Sequence, residues 1–151
     1  LIEGDGSLQH NLQELQLITT YHLPIKLFVL SNNGYASIYG MQRNNFCGNF
    51  AGCNPESGLV LPSISKISEL YGLPYYHIEN DNEIDDKLKI IMADPLPCIC
   101  EIDCSINFDE IPKSKTVVNP DGTFSSSKLE NLYPFVDPSE QIENMPVWSD
   151  K

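Results

Sequence analysis

Basic residues are scarce in this chain. Its 151 residues carry 9 Lys and Arg against 21 Asp and Glu, a formal net charge of −12 at pH 7. Arg43 is the single arginine, and the lysines are scattered one at a time. Without a basic stripe there is nothing to neutralise a phosphate backbone, which excludes nucleic acid as a partner. Long apolar runs are missing too. The longest, Ile25–Leu30, is interrupted by Lys26 and is far too short to cross a bilayer, so no membrane role is expected. A Cys-x-x-Cys pair with a second pair of ligands is absent, which argues against zinc. His10, His22 and His77 show no metal-ligand spacing.

What is present reads as one soluble domain. The chain is 41% hydrophobic and 20% charged, a composition that buries a core rather than staying disordered. A domain of this length buries about two-thirds of its unfolded surface. Five cysteines is an odd number, and Cys98, Cys100 and Cys104 sit in or beside a short apolar stretch. Period-two spacing there suits buried thiols more than bridges, and a reducing cytoplasm follows.

Leu1-Ile2-Glu3 leads straight into Gly4-Asp5-Gly6-Ser7. Apolar residues running into a glycine turn read as the end of a strand begun upstream, so the sequence is expected to be a C-terminal piece of a longer protein. Ser7 is a candidate N-cap for a helix running to about Tyr21. Ile25–Leu30 then reads as a strand buried on both faces, ending in the turn Ser31-Asn32-Asn33-Gly34. A short helix is expected from Tyr35 to Phe46, and a long loop from Cys47 to Pro62. A helix from about Ser63 to Tyr71 stops at Gly72, Tyr75–Ile78 is a strand, Asn82 caps a helix ended by Asp94-Pro95, and Pro97–Asp103 is the last clear strand. Strand and helix alternate, which predicts an α/β fold: a parallel sheet with helices on both faces, spanning residues 1–104. Residues 105–151, rich in proline, are expected to form a mostly irregular tail packed on it, with Trp148 as an anchor.

Ligands of such sheets bind at the carboxyl ends of the strands, so the turns at 4–7 and 31–35 are the places for chemistry. Glycines let a backbone approach a ligand closely, and a helix start offers free N–H groups that suit a phosphate. A carboxylate in that turn repels phosphate unless a divalent cation lies between them. Asp5 is therefore either a Mg²⁺ ligand bridging to a diphosphate or a plain turn-capping carboxylate. Asn32 lies 27 residues away, the interval of one helix and one strand, and would supply an amide oxygen beside it.

Gly4-Asp5-Gly6-Ser7 followed by Asn32-Asn33-Gly34 resembles the thiamine-diphosphate motif of acetolactate synthases, pyruvate decarboxylases and their relatives. Leu8-Gln9, Gln13-Glu14-Leu15 and Phe28-Val29-Leu30-Ser31 are similar to that group as well. The motif match covers residues 1 to about 40, with a looser likeness in element order to about residue 104. The resemblance implies the C-terminal, diphosphate-binding domain of such an enzyme, with its N-terminal part outside this sequence. It implies that Asp5, the Asn32 side chain and the Gly34 carbonyl bind Mg²⁺. Gly4, Gly6 and Ser7 would hold the diphosphate, and Tyr35, Ala36, Ser37 and Ile38 would pass beside the cofactor. Some decarboxylases carry a Glu where this chain has Ile38, so the implied activity is acetolactate-synthase-like: decarboxylation of a 2-oxo acid such as pyruvate and ligation of the two-carbon unit to a carbonyl acceptor. Simple decarboxylation and a non-catalytic cofactor-binding subunit are the alternatives. No catalytic residue is expected within the chain. The Glu that activates the cofactor would come from the pyrimidine-binding domain of a neighbouring subunit in a homodimer or homotetramer, leaving the isolated chain inactive. FAD, where a longer relative carries it, would lie outside this domain.

Gln42-Arg43 with Phe46, Glu56-Ser57-Gly58-Leu59, Tyr71-Gly72-Leu73-Pro74 and Pro112-Lys113 are also similar to synthase-like proteins of surface-polysaccharide sugar modification. Relatives often have a bulky residue near Met41, a position tied to substrate choice. Among the remaining candidates, His10 either touches substrate or lies on a helix surface. Arg43 either faces a substrate carboxylate or forms a surface ion pair. His77 reads as a satisfied core or edge histidine, and Glu79–Asp86 as a solvated helix start. Asp5 is expected on an exposed turn, removable without harm to the fold.

Overall fold

The apolar run Leu27–Leu30 within Lys26–Ser31 builds the strand on which the others align. In the computed structural model, which describes residues 1–108 and 111–144, that strand is β2. β1 (Ile2–Gly4), β2, β3 (Tyr75–Ile78) and β4 (Cys98–Asp103) form a parallel sheet in the order β1-β2-β4-β3. Leu27 pairs in register with Ile99, and Glu3 with Val29. The chain forms two units, Leu1–Phe108 and Asp109–Lys151; the sheet belongs to the first. Trp148 lies outside the described residues.

Helices cover both faces, as the alternation of elements predicts. On one face Leu27, Val29 and Ile99 pack with Leu8 of α1 (Asp5–Leu8), Leu15 and Ile18 of α2 (Leu15–Thr20), and Ile64 and Ile67 of α4 (Ile64–Tyr71). On the other, Cys98, Cys100 and Ile78 surround Ile91 of α5 (Ile84–Ala93). Burial pushes the Cys98 thiol up and that of Cys100 up to about 11, so both stay protonated and unreactive at neutral pH. The expectation that β2 is buried on both faces is corrected. Leu27 and Val29 are buried, but Phe28 is only partly so and Leu30 is 38% exposed. The α5 cover stops short of Leu30, and α3 (Ala36–Asn45), which follows β2, buries none of its own side chains.

The expected continuous helix from Ser7 to Tyr21 is broken. α1 ends at Leu8, the next three residues close tight bonds (Gln9 N to Gly6 O, His10 N to Ser7 O, Asn11 N to Leu8 O), and a 3₁₀ turn at Leu12–Glu14 leads into α2. Gly4, not Ser7, takes the N-cap place; Ser7 sits inside α1, its hydroxyl donating to the Glu3 carboxylate. The helix starts early because Asp5 must turn inward, as its contacts show below.

The other helices begin and end where their caps dictate. Ser63 accepts from Lys66 N at the start of α4, and Gly72, at φ 65°, ends it in the left-handed region that favours glycine. The buried Ser68 hydroxyl donates to Leu73 O at 2.5 Å, closing that end. Asn80 rather than Asn82 caps the turn ahead of α5, because its side chain accepts from Asn82 N at 3.2 Å. The segment after residue 105 has more regular structure than its proline content suggests: β5 (Thr116–Val118) pairs antiparallel with β6 (Phe124–Ser126), and α6 spans Pro138–Asn144.

β3 forms one edge of the sheet, and its polar side chains reach to β4. His77 Nε2 lies 2.8 Å from Asp103 Oδ1, and the Tyr75 hydroxyl donates to Glu101 Oε2 at 2.5 Å. His77 is thus the satisfied edge histidine that the sequence predicts. Asp103, with help from Glu101 and Glu79, holds its pKa above the ordinary value. A raised histidine stabilises the fold fully below its unfolded pKa, and that contribution is lost as pH rises through the folded value. Urea unfolding from about pH 5 to about pH 9 should therefore show stability declining above neutrality, and His77→Gln should flatten that decline. Ile99→Ala, which empties the centre of the larger core cluster, should cost about 2–5 kcal/mol by the same measurement. Leu70→Ala, on the exposed side of α4, should stay within about 0.5 kcal/mol.

Candidate functional site

Parallel pairing of β1 with β2 sets their carboxyl ends side by side, and the residues that follow each strand meet there. Asp5 joins them. Its Oδ1 accepts from Gly6 N at 2.8 Å, while Oδ2 accepts from Asn32 N at 3.0 Å and Asn33 N at 2.7 Å. The exposed turn expected for Asp5 is corrected: the residue is only 3% exposed. A carboxylate can be buried so deeply because three backbone N–H groups replace water around it. Asn33 takes φ 56°, a left-handed conformation that asparagine tolerates, and so turns its N–H inward.

Glycine is required where the two turns meet other chain. A Cβ on Gly6 would lie 2.5 Å from the Tyr35 ring, and one on Gly34 would lie 2.5 Å from the Cys53 carbonyl oxygen and 2.6 Å from Ile106. Cys53 comes from the 47–62 segment, which is pinned at several points. Its carbonyl accepts from Tyr35 N at 2.9 Å, Gln42 exchanges two hydrogen bonds with Ala51, and Asn54 and Ser57 cap each other reciprocally. The sequence names neither Cys53 nor Ile106 as a wall of this site. The Asn54-Pro55-Glu56-Ser57-Gly58 run carries a capping signal for the loop, while nothing in the sequence marks Ile106.

Together the turns enclose a cavity of ≈ 400 Å³. The residues that the resemblance assigns to cofactor and metal line it: Gly4, Asp5, Gly6 and Ser7, with Asn32, Gly34 and Tyr35–Ile38, and His10 beside them. Arg43 is not part of that lining; a second cavity of ≈ 500 Å³ lies at the far end of α3, bounded by Met41, Gln42, Phe46, Cys47 and Asn49.

One atom in the first cavity stands out chemically. Asn32 Oδ1 is buried and has no hydrogen-bond partner among the described residues. A buried amide oxygen left unpaired costs free energy unless something outside the chain satisfies it. A hard divalent cation fits, since it prefers oxygen donors, and the Asp5 carboxylate lies one turn away with lone pairs to spare. No group of three His, Cys, Asp or Glu side chains that could hold a metal occurs among the described residues. A cation at Asp5 and Asn32 would therefore complete its shell with carbonyl, water and ligand oxygens.

Comparison with known proteins supplies the family. Residues 1–102 match the family described as thiamine pyrophosphate enzyme, C-terminal TPP binding domain. The chain belongs to this family. It is a thiamine-pyrophosphate-binding domain of the acetolactate-synthase-like kind, and thiamine pyrophosphate (thiamine diphosphate) is the cofactor of the family. The acetolactate synthase large subunit of Porphyra purpurea is 28% identical over 109 residues, covering 72% of this chain. The probable acetolactate synthase large subunit of Methanococcus aeolicus is 31% identical over 143 residues, covering 93% of it. The chloroplastic acetolactate synthase 1 of Zea mays is 30% identical over 105 residues, covering 67%. The chain spans 18%, 22% and 16% of the lengths of these three relatives. No helix among the described residues is long and apolar enough to cross a membrane.

Three substitutions separate the roles of these residues in stability. Asp5→Ala, which leaves three N–H groups without their acceptor, should lower unfolding free energy by about 1–3 kcal/mol in a denaturant titration. Gly34→Ala should destabilise through its clash with backbone. Gly40→Ala in α3, where a Cβ meets nothing within 4 Å, should instead gain up to about 1 kcal/mol from helix propensity.

Proposed function

We propose that the protein carrying this domain decarboxylates a 2-oxo acid such as pyruvate and ligates the resulting two-carbon unit to a carbonyl acceptor, with Mg²⁺ joining thiamine diphosphate to the domain. The observation that carries the metal part is the unpartnered Asn32 Oδ1 beside Asp5. Asp5, Asn32 Oδ1 and the Gly34 carbonyl would hold the cation, and the Gly4–Ser7 turn would hold the diphosphate. When bound, thiamine diphosphate supplies a thiazolium that stabilises a carbanion at the former carboxyl-bearing carbon.

The chain's own part is positional. Asp5 keeps the two turns at a fixed separation, Gly6 leaves room for Tyr35, and Tyr35–Ile38 form the wall beside the reacting end. Ile38 is apolar and 41% exposed, so it offers no proton to the cavity, which supports ligation over protonation to an aldehyde. The activating Glu would come from the pyrimidine-binding domain of a neighbouring subunit, in a homodimer or homotetramer. A reducing cytoplasm is the setting we propose, consistent with Cys98 and Cys100 as buried free thiols.

The test uses the intact polypeptide with Mg²⁺, thiamine diphosphate and pyruvate, following carbon dioxide and identifying the product. Acetolactate is expected, and adding 2-oxobutyrate should yield a mixed acetohydroxy acid. Removal of Mg²⁺ by a chelator should abolish both cofactor retention and carbon dioxide release. Acetaldehyde alone would replace the ligase reading with simple decarboxylation, and bound cofactor with no turnover of any 2-oxo acid would indicate a silent subunit. The 151 residues alone should show no turnover.

A further inference from the structure

We propose that His10 is a side-chain donor that binds the diphosphate of the cofactor. The proposal rests on the thiamine diphosphate reading above. The cavity must receive a highly charged anion, yet its lining contains the Asp5 carboxylate and neither lysine nor arginine. Among the described residues, His10 is the one side chain in that lining able to carry positive charge.

Its position follows from the break in the first helix. His10 falls in the three residues between α1 and the Leu12–Glu14 turn, where His10 N donates to Ser7 O at 3.1 Å. That bond places His10 one short turn beyond Ser7, and the residue lines the cavity together with Gly4–Ser7 and Tyr35–Ile38. The ring is exposed and makes no hydrogen bond or ion pair among the described residues. An imidazole presents an N–H donor in either protonation state. The three hydrogen bonds that the Asp5 carboxylate accepts all come from backbone N–H groups, none of them from His10.

The test is calorimetric titration of the intact polypeptide, in Mg²⁺, with inorganic pyrophosphate and separately with thiamine diphosphate. His10→Ala should weaken both by about tenfold, the loss of one charge-assisted hydrogen bond. His10→Lys should restore affinity to within about threefold of the parent, since an N–H donor is returned to the same place. Unchanged pyrophosphate affinity in His10→Ala overturns the proposal. So does an equal loss in His10→Ala and His10→Lys, which would make the ring's role one of local structure. A raised KM for the 2-oxo acid with pyrophosphate affinity intact would assign His10 to the substrate and likewise overturn it. Failure of the parent itself to bind either ligand strikes the thiamine diphosphate reading, a result separate from any His10 variant.

Discussion

The Asp5 carboxylate ties together two turns that no secondary structure joins. β1 and β2 are paired along their length, but pairing ends at Gly4 and Leu30. Beyond that point the chain leaves the sheet in two directions, into α1 and towards α3. Three N–H groups on one carboxylate hold the departing segments together. The cost of burying a charge is offset by those donors, and beside them the Asn32 Oδ1 atom is buried with no partner among the described residues. The geometry that makes the fold self-consistent therefore also leaves the site one partner short.

The surrounding architecture defends that arrangement. The Cys53 carbonyl accepts from Tyr35 N, and Gly34 sits against Cys53 and Ile106 with no room for a side chain. Tyr35 in turn covers Gly6, so the two glycines of the motif are constrained by one aromatic ring and one loop. The 47–62 segment, devoid of helix or strand apart from the turn Pro55–Ser57, packs behind Gly34 and Tyr35 rather than standing free.

The sequence made the frame legible wherever a local rule had no rival. The apolar strands, the Ser63 and Gly72 ends of α4, and both ligand turns followed from periodicity and capping alone. It misled where a distant contact overrode the local rule. Ser7 looks like an N-cap, but Asp5 has to face Asn32 and Asn33, so the helix begins two residues earlier and breaks after Leu8. Asp5 looks exposed because it lies between glycines, and only the packing of β2 beside β1 reveals that it is enclosed. Asn82 lost its cap role to Asn80 through a shift of two residues. Ile106 reaches Gly34 only because β4 ends beside β2, a relation that no residue near position 106 advertises.

Gly34 lodged against Cys53 and Ile106 has a consequence for binding thermodynamics. The wall facing the ligand is already immobilised by contacts internal to the chain, so a ligand arriving there has little backbone entropy left to quench. Most of its interaction energy would then remain as affinity instead of being consumed in ordering the receptor.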